Sequence, residues 1–233
     1  MQFQGQGILL DIEGTTSAVA YVYDVMFPYA RKALDAYLAE HWDDPAMQPV
    51  KQQFAVDAGI ERFDDRDALR DEAVRLMDND VKATGLKQLQ GLIWEAGFES
   101  GELWTHVYDD VAPALARWRE AGIDVRIYSS GSIHAQRLFF GHSEAGDLLP
   151  HFTGHYDTTT GPKREAASYE AIAADWGIGA NEVLFLSDVT EELNAARAAG
   201  LQTGLVIRPG NVAATPADPA HTAIESFDEI AID

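Results

Sequence analysis

Residues 7–16 read GILLDIEGTT: a glycine and three aliphatic residues, then Asp11, Ile12, Glu13 and Gly14. An apolar run this short, stopped by an acid and a glycine, predicts a buried strand over Gly7–Asp11 followed by a tight turn. Four further runs share the pattern: Asp124–Ser129 (DVRIYS), His155–Thr158 (HYDT), Val183–Asp188 (VLFLSD) and Thr203–Arg208 (TGLVIR). Most are apolar almost throughout, which suits parallel strands covered on both faces. Helical spacing fills the intervals. Val111, Leu115 and Trp118 precede Gly122; Tyr169, Ile172, Ala173 and Trp176 precede Gly177; Leu193, Ala196 and Arg197 precede Gly200. Strand, helix, glycine, strand, repeated, predicts an α/β fold with a doubly wound, mostly parallel, Rossmann-like sheet. Right-handed crossovers then put helices on both faces.

Between about residue 17 and about residue 105 the rhythm breaks. Val22, Val25, Met26, Tyr29, Ala33, Leu34, Tyr37 and Leu38 follow helical spacing, with Pro28 starting or kinking a helix. Leu69, Ala73, Leu76 and Met77 repeat the pattern, as do Leu86, Leu89, Ile93 and Phe98. No strand pattern interrupts them. The expectation is an all-helical domain over residues 17–105, inserted after the first strand of a core made from residues 1–16 and 106–233. The chain returns from the insert in a helix over Val107–Ala121. The tail, with Pro216, Pro219 and many alanines, predicts a loop and a short terminal element.

Composition narrows the function. The 233 residues are 46% hydrophobic and 24% charged, which excludes a disordered or low-complexity chain. Lys and Arg number 17 against 38 Asp and Glu, a net charge of −21. That excess argues against broad contact with nucleic acid or anionic lipid. A small anion remains compatible, because one lysine and one divalent cation reverse the sign locally. The absence of cysteine rules out disulfides, thiolate catalysis and cysteine-based zinc sites. No apolar run is long enough to span a membrane, and the N-terminus lacks a basic region before its short apolar run, so the expected compartment is the cytoplasm.

In open α/β sheets ligands bind beyond the carboxyl ends of the strands, and four such ends carry polar chemistry. Asp11 and Glu13 are two acids that a glycine turn can aim into one crevice. Tyr128-Ser129-Ser130-Gly131-Ser132 offers hydroxyls, backbone N–H groups and a helix N-terminus to an oxyanion. Gly161-Pro162-Lys163 places a cation at an expected helix start, where the dipole disfavours it unless an anion is near. Asp188 ends a very apolar strand, with Glu191 and Glu192 opening the next helix. Taken alone, each has a plain structural explanation in a cap, a turn or a solvated charge. Together they supply a carboxylate nucleophile, a second acid, oxyanion donors, a cation and a metal-binding carboxylate, the set for phosphoryl transfer through an aspartyl-phosphate.

DIEGTT, YSSGS, GPK and LSDVTEE, in this order, resemble the four motifs of the haloacid-dehalogenase-like phosphatases. The stretches LKQLQGLIW (86–94), IYSSGSIHAQRLFFGHS (127–143) and LFLSDVTEEL (184–193) resemble more closely the enolase-phosphatases, or acireductone synthases, of methionine salvage. The similarity runs from about Gly7 to Asn211. It implies Asp11 as nucleophile and Mg²⁺ ligand, Asp188 as a second carboxylate ligand, and Glu13 as a backbone-carbonyl ligand whose side chain is the general acid and base. It implies Ser129 and Ser130 on the phosphoryl oxygens and Lys163 neutralising charge in the transition state. Glu192 would orient Lys163 or a metal-bound water. The insert takes the place of the family's cap domain. The expected activity is enolisation and then dephosphorylation of a diketo phosphate ester by a monomer, with Mg²⁺ and without nucleic-acid or membrane partners. The base for enolisation is unassigned, Glu13 being one candidate. The rivals are a phosphatase of the same fold for another small phosphate, a haloalkanoic acid dehalogenase, for which Glu13 and Asp188 would be superfluous, and a phospho-accepting receiver module, which is about half this length.

Overall fold

The four residues Gly7–Leu10 are all buried, and they form the strand from which the sheet is built. The computed structural model describes residues 1–210 and 220–232, so the expected loop at Pro216 and Pro219 lies outside the described residues. In chain order the elements are β1 (Gln2–Phe3), β2 (Gly7–Leu10) and the single turn α1 (Val19–Tyr21), then a π-helical turn, Val22–Met26. The helices α2 (Phe27–His41), α3 (Met47–Ala58), α4 (Arg66–Asp78) and α5 (Thr84–Glu99) follow. Next come α6 (Val111–Glu120), β3 (Asp124–Tyr128), α7 (Ile133–Gly141), β4 (Gly154–Tyr156), α8 (Ala166–Trp176), β5 (Val183–Ser187), α9 (Thr190–Ala198), β6 (Gln202–Val206), β7 (Thr222–Ile224) and β8 (Ala231–Ile232). The chain divides into two units, Met1–Val22 with Trp104–Asp233, and Tyr23–Leu103.

In the first unit six parallel strands pair in the order β4-β3-β2-β5-β6-β7. β2 is thus flanked by β3 on one side and β5 on the other, and the order reverses there. That reversal opens the crevice in which such sheets bind ligands. Leu10 pairs with Ile127 and with Leu186, so the same register carried one residue on sets Asp11 level with Tyr128 and Ser187. β2 and β5 are buried throughout, as strands covered on both faces must be. Leu9, Tyr128, Tyr169, Ile172, Phe185 and Leu193 are among the residues that fill the space between the sheet and its helices. β1 and β8 pair separately.

The second unit is helical throughout. Its core is its own: Leu34, Leu38, Val50, Phe54, Leu69, Leu86, Leu89 and Ile93 are all buried against one another. Pro28 lies in the first turn of α2, where its missing N–H costs nothing.

The structure corrects several sequence boundaries. Every core strand stops one or two residues before the expected end, so Asp11, Ser129 and Asp188 stand beyond the sheet. α6 starts at Val111 and not at Val107; the Tyr108 N–H before it donates to the Thr16 carbonyl at 3.0 Å. α8 starts at Ala166, so Lys163 lies in the preceding turn and not on a helix terminus. Arg208 is past the end of β6 and turns inward, donating through Nε to the Thr15 carbonyl at 2.9 Å and through a terminal nitrogen to Asp110 at 2.8 Å.

Candidate active site

The turn after β2 is folded on a single carbonyl. Ile12 O accepts from the N–H groups of Thr15, Thr16 and Ser17 at 3.0–3.2 Å, and Gly14 N–H donates to Ser17 O at 2.7 Å. Gly14 takes φ +78°, a conformation that a side chain would strain. Asp11, 3% exposed, is held at the strand end: its N–H donates to Leu186 O at 3.1 Å, and its Oδ1 accepts from Ile12 N–H at 2.8 Å.

Lys163 arrives from the turn before α8. Its Nζ lies 2.6 Å from Asp11 Oδ1 and 2.6 Å from Glu192 Oε2, with all three side chains largely buried. Burial works against the ammonium, but the charges of Asp11 and Glu192 more than reverse this and hold its pKa above the usual lysine range. Ser187 closes the ring. Its hydroxyl lies 3.3 Å from Asp11 Oδ2 and 3.2 Å from Glu192 Oε2, and it accepts from Val189 N–H at 3.1 Å. One hydroxyl hydrogen serves two carboxylates, which ties the carboxyl groups together.

On the other side, Ser129 Oγ donates to Glu13 Oε2 at 3.4 Å and accepts from Gly131 N–H at 3.1 Å. The Gly131 N–H is therefore engaged within the protein and does not face an oxyanion. Ser132 is a helix cap, accepting from Ala135 N–H at 3.2 Å. Ser130 is exposed. Burial, then the Asp11 charge, pushes the Glu13 carboxyl above the usual carboxylate range. Burial and the charges of Asp11 and Glu13 push Asp188 up to about 7, and burial and Asp11 push Glu192 up to about 7 despite Lys163. Four acids thus meet one ammonium.

The structure brings Asp11, Lys163 and Glu192 into direct contact, and Glu13 with Ser129. Asp188 is close enough to feel the charges of Asp11, Glu13 and Lys163. Ser187 was hidden at the sequence level in an apolar run whose alternate residues face opposite sides of a buried sheet.

The sequence model described as "Hydrolase: haloacid dehalogenase-like hydrolase" matches residues 6–200. The chain belongs to the haloacid dehalogenase-like hydrolases. Within them it is 50% identical to the enolase-phosphatase E1 of Synechococcus elongatus, over 96% of each chain. It is 47% identical to the enolase-phosphatase E1 of Pseudomonas aeruginosa, over 98% of this chain and 99% of the relative. The solved structure of the UTR4 protein of Saccharomyces cerevisiae superposes with a TM-score of 0.84 at 35% identity, covering 97% of this chain and 99% of that one.

Haloacid dehalogenase-like hydrolases generally use a divalent metal, and the donor chemistry here fits one. The carboxylates and hydroxyls at the crevice are oxygen ligands, and the pKa values of Glu13 and Asp188 are raised by burial first and then by the Asp11 charge, a setting in which a divalent cation would favour the ionised forms. Among the described residues no three His, Cys, Asp or Glu side chains are grouped to hold a metal.

Proposed function

We propose that the protein is a bifunctional enolase-phosphatase. It converts 2,3-diketo-5-methylthiopentyl-1-phosphate, by enolisation and dephosphorylation, into the acireductone 1,2-dihydroxy-3-keto-5-methylthiopentene and phosphate, a step of methionine salvage. The observation that carries the phosphatase half is the buried contact of Lys163 with Asp11 at the reversal of strand order. The choice of substrate is supported by near-half identity to proteins named enolase-phosphatase E1 across almost the full chain.

In this reading Asp11, Asp188 and the Glu13 carbonyl would hold Mg²⁺, which would supply the positive charge that lets a phosphate dianion approach these carboxylates. An Asp11 oxygen attacks phosphorus, and the bond to the ester oxygen breaks. Glu13, whose pKa burial and the Asp11 charge raise, gives a proton to that oxygen. The Glu13 carboxylate then takes a proton from water, which attacks phosphorus and frees Asp11 and inorganic phosphate. Lys163 holds charge on the transferring group, and Ser129 and Ser130 hold its oxygens. To do so the Ser129 hydroxyl exchanges its present hydrogen bond to Glu13 for one to the phosphoryl group. The helical unit, Tyr23–Leu103, takes the place in the chain of the family's cap, the part expected to select substrate. The protein works as a monomer in the cytoplasm, and its net charge of −21 sets it apart from nucleic-acid binders.

A panel of phosphate esters tests this reading. Turnover is expected to be fastest with the diketo phosphate, to be lost in EDTA and to return with Mg²⁺. Faster turnover of a simple sugar phosphate, or full activity after exhaustive chelation, would overturn it.

A further inference from the structure

Lys163 lies on a connection. Residues 157–165 join β4 to α8, so the lysine gets no support from a regular element and has a long flexible side chain to restrain. Yet its Nζ lies in contact with two carboxylates at once. Something must fix the chain at this point.

Three successive carbonyls do so. Gly161 O accepts from Tyr128 Oη at 2.8 Å, Pro162 O from Ser168 Oγ at 2.8 Å, and Lys163 O from Tyr169 Oη at 2.7 Å. The donors sit on regular elements: Tyr128 ends β3, and Ser168 and Tyr169 are in the first turn of α8. Both tyrosines are fully buried, with their rings edge to face at 5.5 Å and Tyr169 against Phe185 of β5 at 5.1 Å. The hydroxyls are therefore as fixed as the core itself. The turn is shaped to receive them. Gly161 is at φ +149°, and a Cβ there would come within 2.3 Å of Ser168 Oγ, so glycine alone permits the close approach of the serine. Pro162 has no N–H to satisfy. Neutral hydroxyls also suit the setting, because they hold the backbone without adding charge beside Lys163. Burial raises the pKa of both tyrosines, which keeps them donors across the working range.

We propose that Tyr128, Ser168 and Tyr169 are positioning residues for the reaction: they hold the Gly161–Lys163 backbone so that the Lys163 ammonium meets the transferring phosphoryl group, and they act only through that lysine. The proposal rests on the reading of Lys163 as the cation of the phosphoryl site. Core packing alone would explain buried tyrosine rings. It would not require three hydroxyls on three consecutive carbonyls.

A double-mutant cycle separates the two. Tyr128→Phe and Tyr169→Phe each delete one oxygen and keep the ring, and Ser168→Ala is a third, smaller change. In the Mg²⁺-loaded full chain each is expected to lower kcat by about tenfold, with KM little changed, because a small displacement of a charge-stabilising group costs rate steeply. In a Lys163→Met background the same changes are expected to alter kcat by less than about twofold. If Lys163→Met is too slow to follow, the affinity for orthovanadate in the same proteins is read by calorimetry with the same criterion. Equal losses with and without the lysine, or no loss with the lysine present, would overturn the proposal. Wild-type turnover of the diketo phosphate is measured alongside. Should only p-nitrophenyl phosphate be hydrolysed, the substrate assignment falls while the cycle, run on that ester, still decides the role of the hydroxyls.

Discussion

Asp11 and Glu13 stand two positions apart and differ in their surroundings. Asp11 is met by donors: the Lys163 ammonium, the Ile12 N–H and the Ser187 hydroxyl. Glu13 is part-buried, faces a single serine hydroxyl, and lies near the Asp11 charge, so its pKa rises and it can carry a proton. One carboxyl group is suited to attack phosphorus and the other to protonate the departing oxygen. This division makes a prediction at the scale of one atom. Glu13→Gln keeps the size of the side chain but cannot give or take a proton. With the alkyl diketo phosphate, kcat is expected to fall on the order of 10²- to 10⁴-fold. In a single-turnover experiment with p-nitrophenyl phosphate, whose leaving group needs no proton, phosphoryl transfer is expected to slow far less. Equal losses for both esters would remove Glu13 from the role of acid.

At the scale of elements, legibility followed burial. Gly7–Leu10 and Val183–Ser187 stood out because a strand covered on both faces must be apolar throughout, and a polar residue then marks where it ends. Asp11 and Asp188 were visible for that reason. β1, β7 and β8, two or three residues each, are too short to carry a period. α3 was not anticipated, since its buried Met47, Val50, Phe54 and Ala55 are spread among polar residues with Pro49 in the first turn. Tyr169 reads as a core residue and Tyr128 as the end of a strand opening a hydroxyl-rich motif; only coordinates show that both hydroxyls go to backbone carbonyls beside Lys163. The edge strand β4 carries a separate consequence. His155 is part-buried beside Phe152, with Nδ1 3.2 Å from Gln136 Oε1. Burial and then the Arg137 charge lower its pKa to about 4, below the ordinary 6.5. The folded state thus binds this proton less readily than the unfolded chain. The stability it contributes is complete above about pH 6.5 and is lost as the pH falls toward 4. Urea unfolding at several pH values should show the wild type losing about 1–3 kcal/mol more than His155→Gln across that window. Parallel stability curves for the two proteins would contradict this.

Among the described residues the helical unit has a hydrophobic core of its own, distinct from the packing that covers the sheet. Phe54, fully buried in the helical unit with its ring edge-on to Phe63, belongs to that core alone. Phe54→Ala is expected to cost about 3–5 kcal/mol. Hydrogen exchange should show that loss in α3 and α5, while amides of β2 and β5 keep their protection. Loss of protection throughout the sheet would show one cooperative unit instead. The sheet of the first unit draws together groups far apart in the chain: Asp11 at the end of β2, Lys163 before α8 and Glu192 on α9. Phosphorus should therefore pass through a covalent bond to a single carboxylate. The direct measurement is rapid acid quench of the Mg²⁺-loaded enzyme during turnover of ³²P-labelled diketo phosphate, followed by peptide mapping. The account predicts label on Asp11 in the wild type and neither label nor phosphate release in Asp11→Asn. Label on another residue, or sustained turnover by Asp11→Asn, would contradict it.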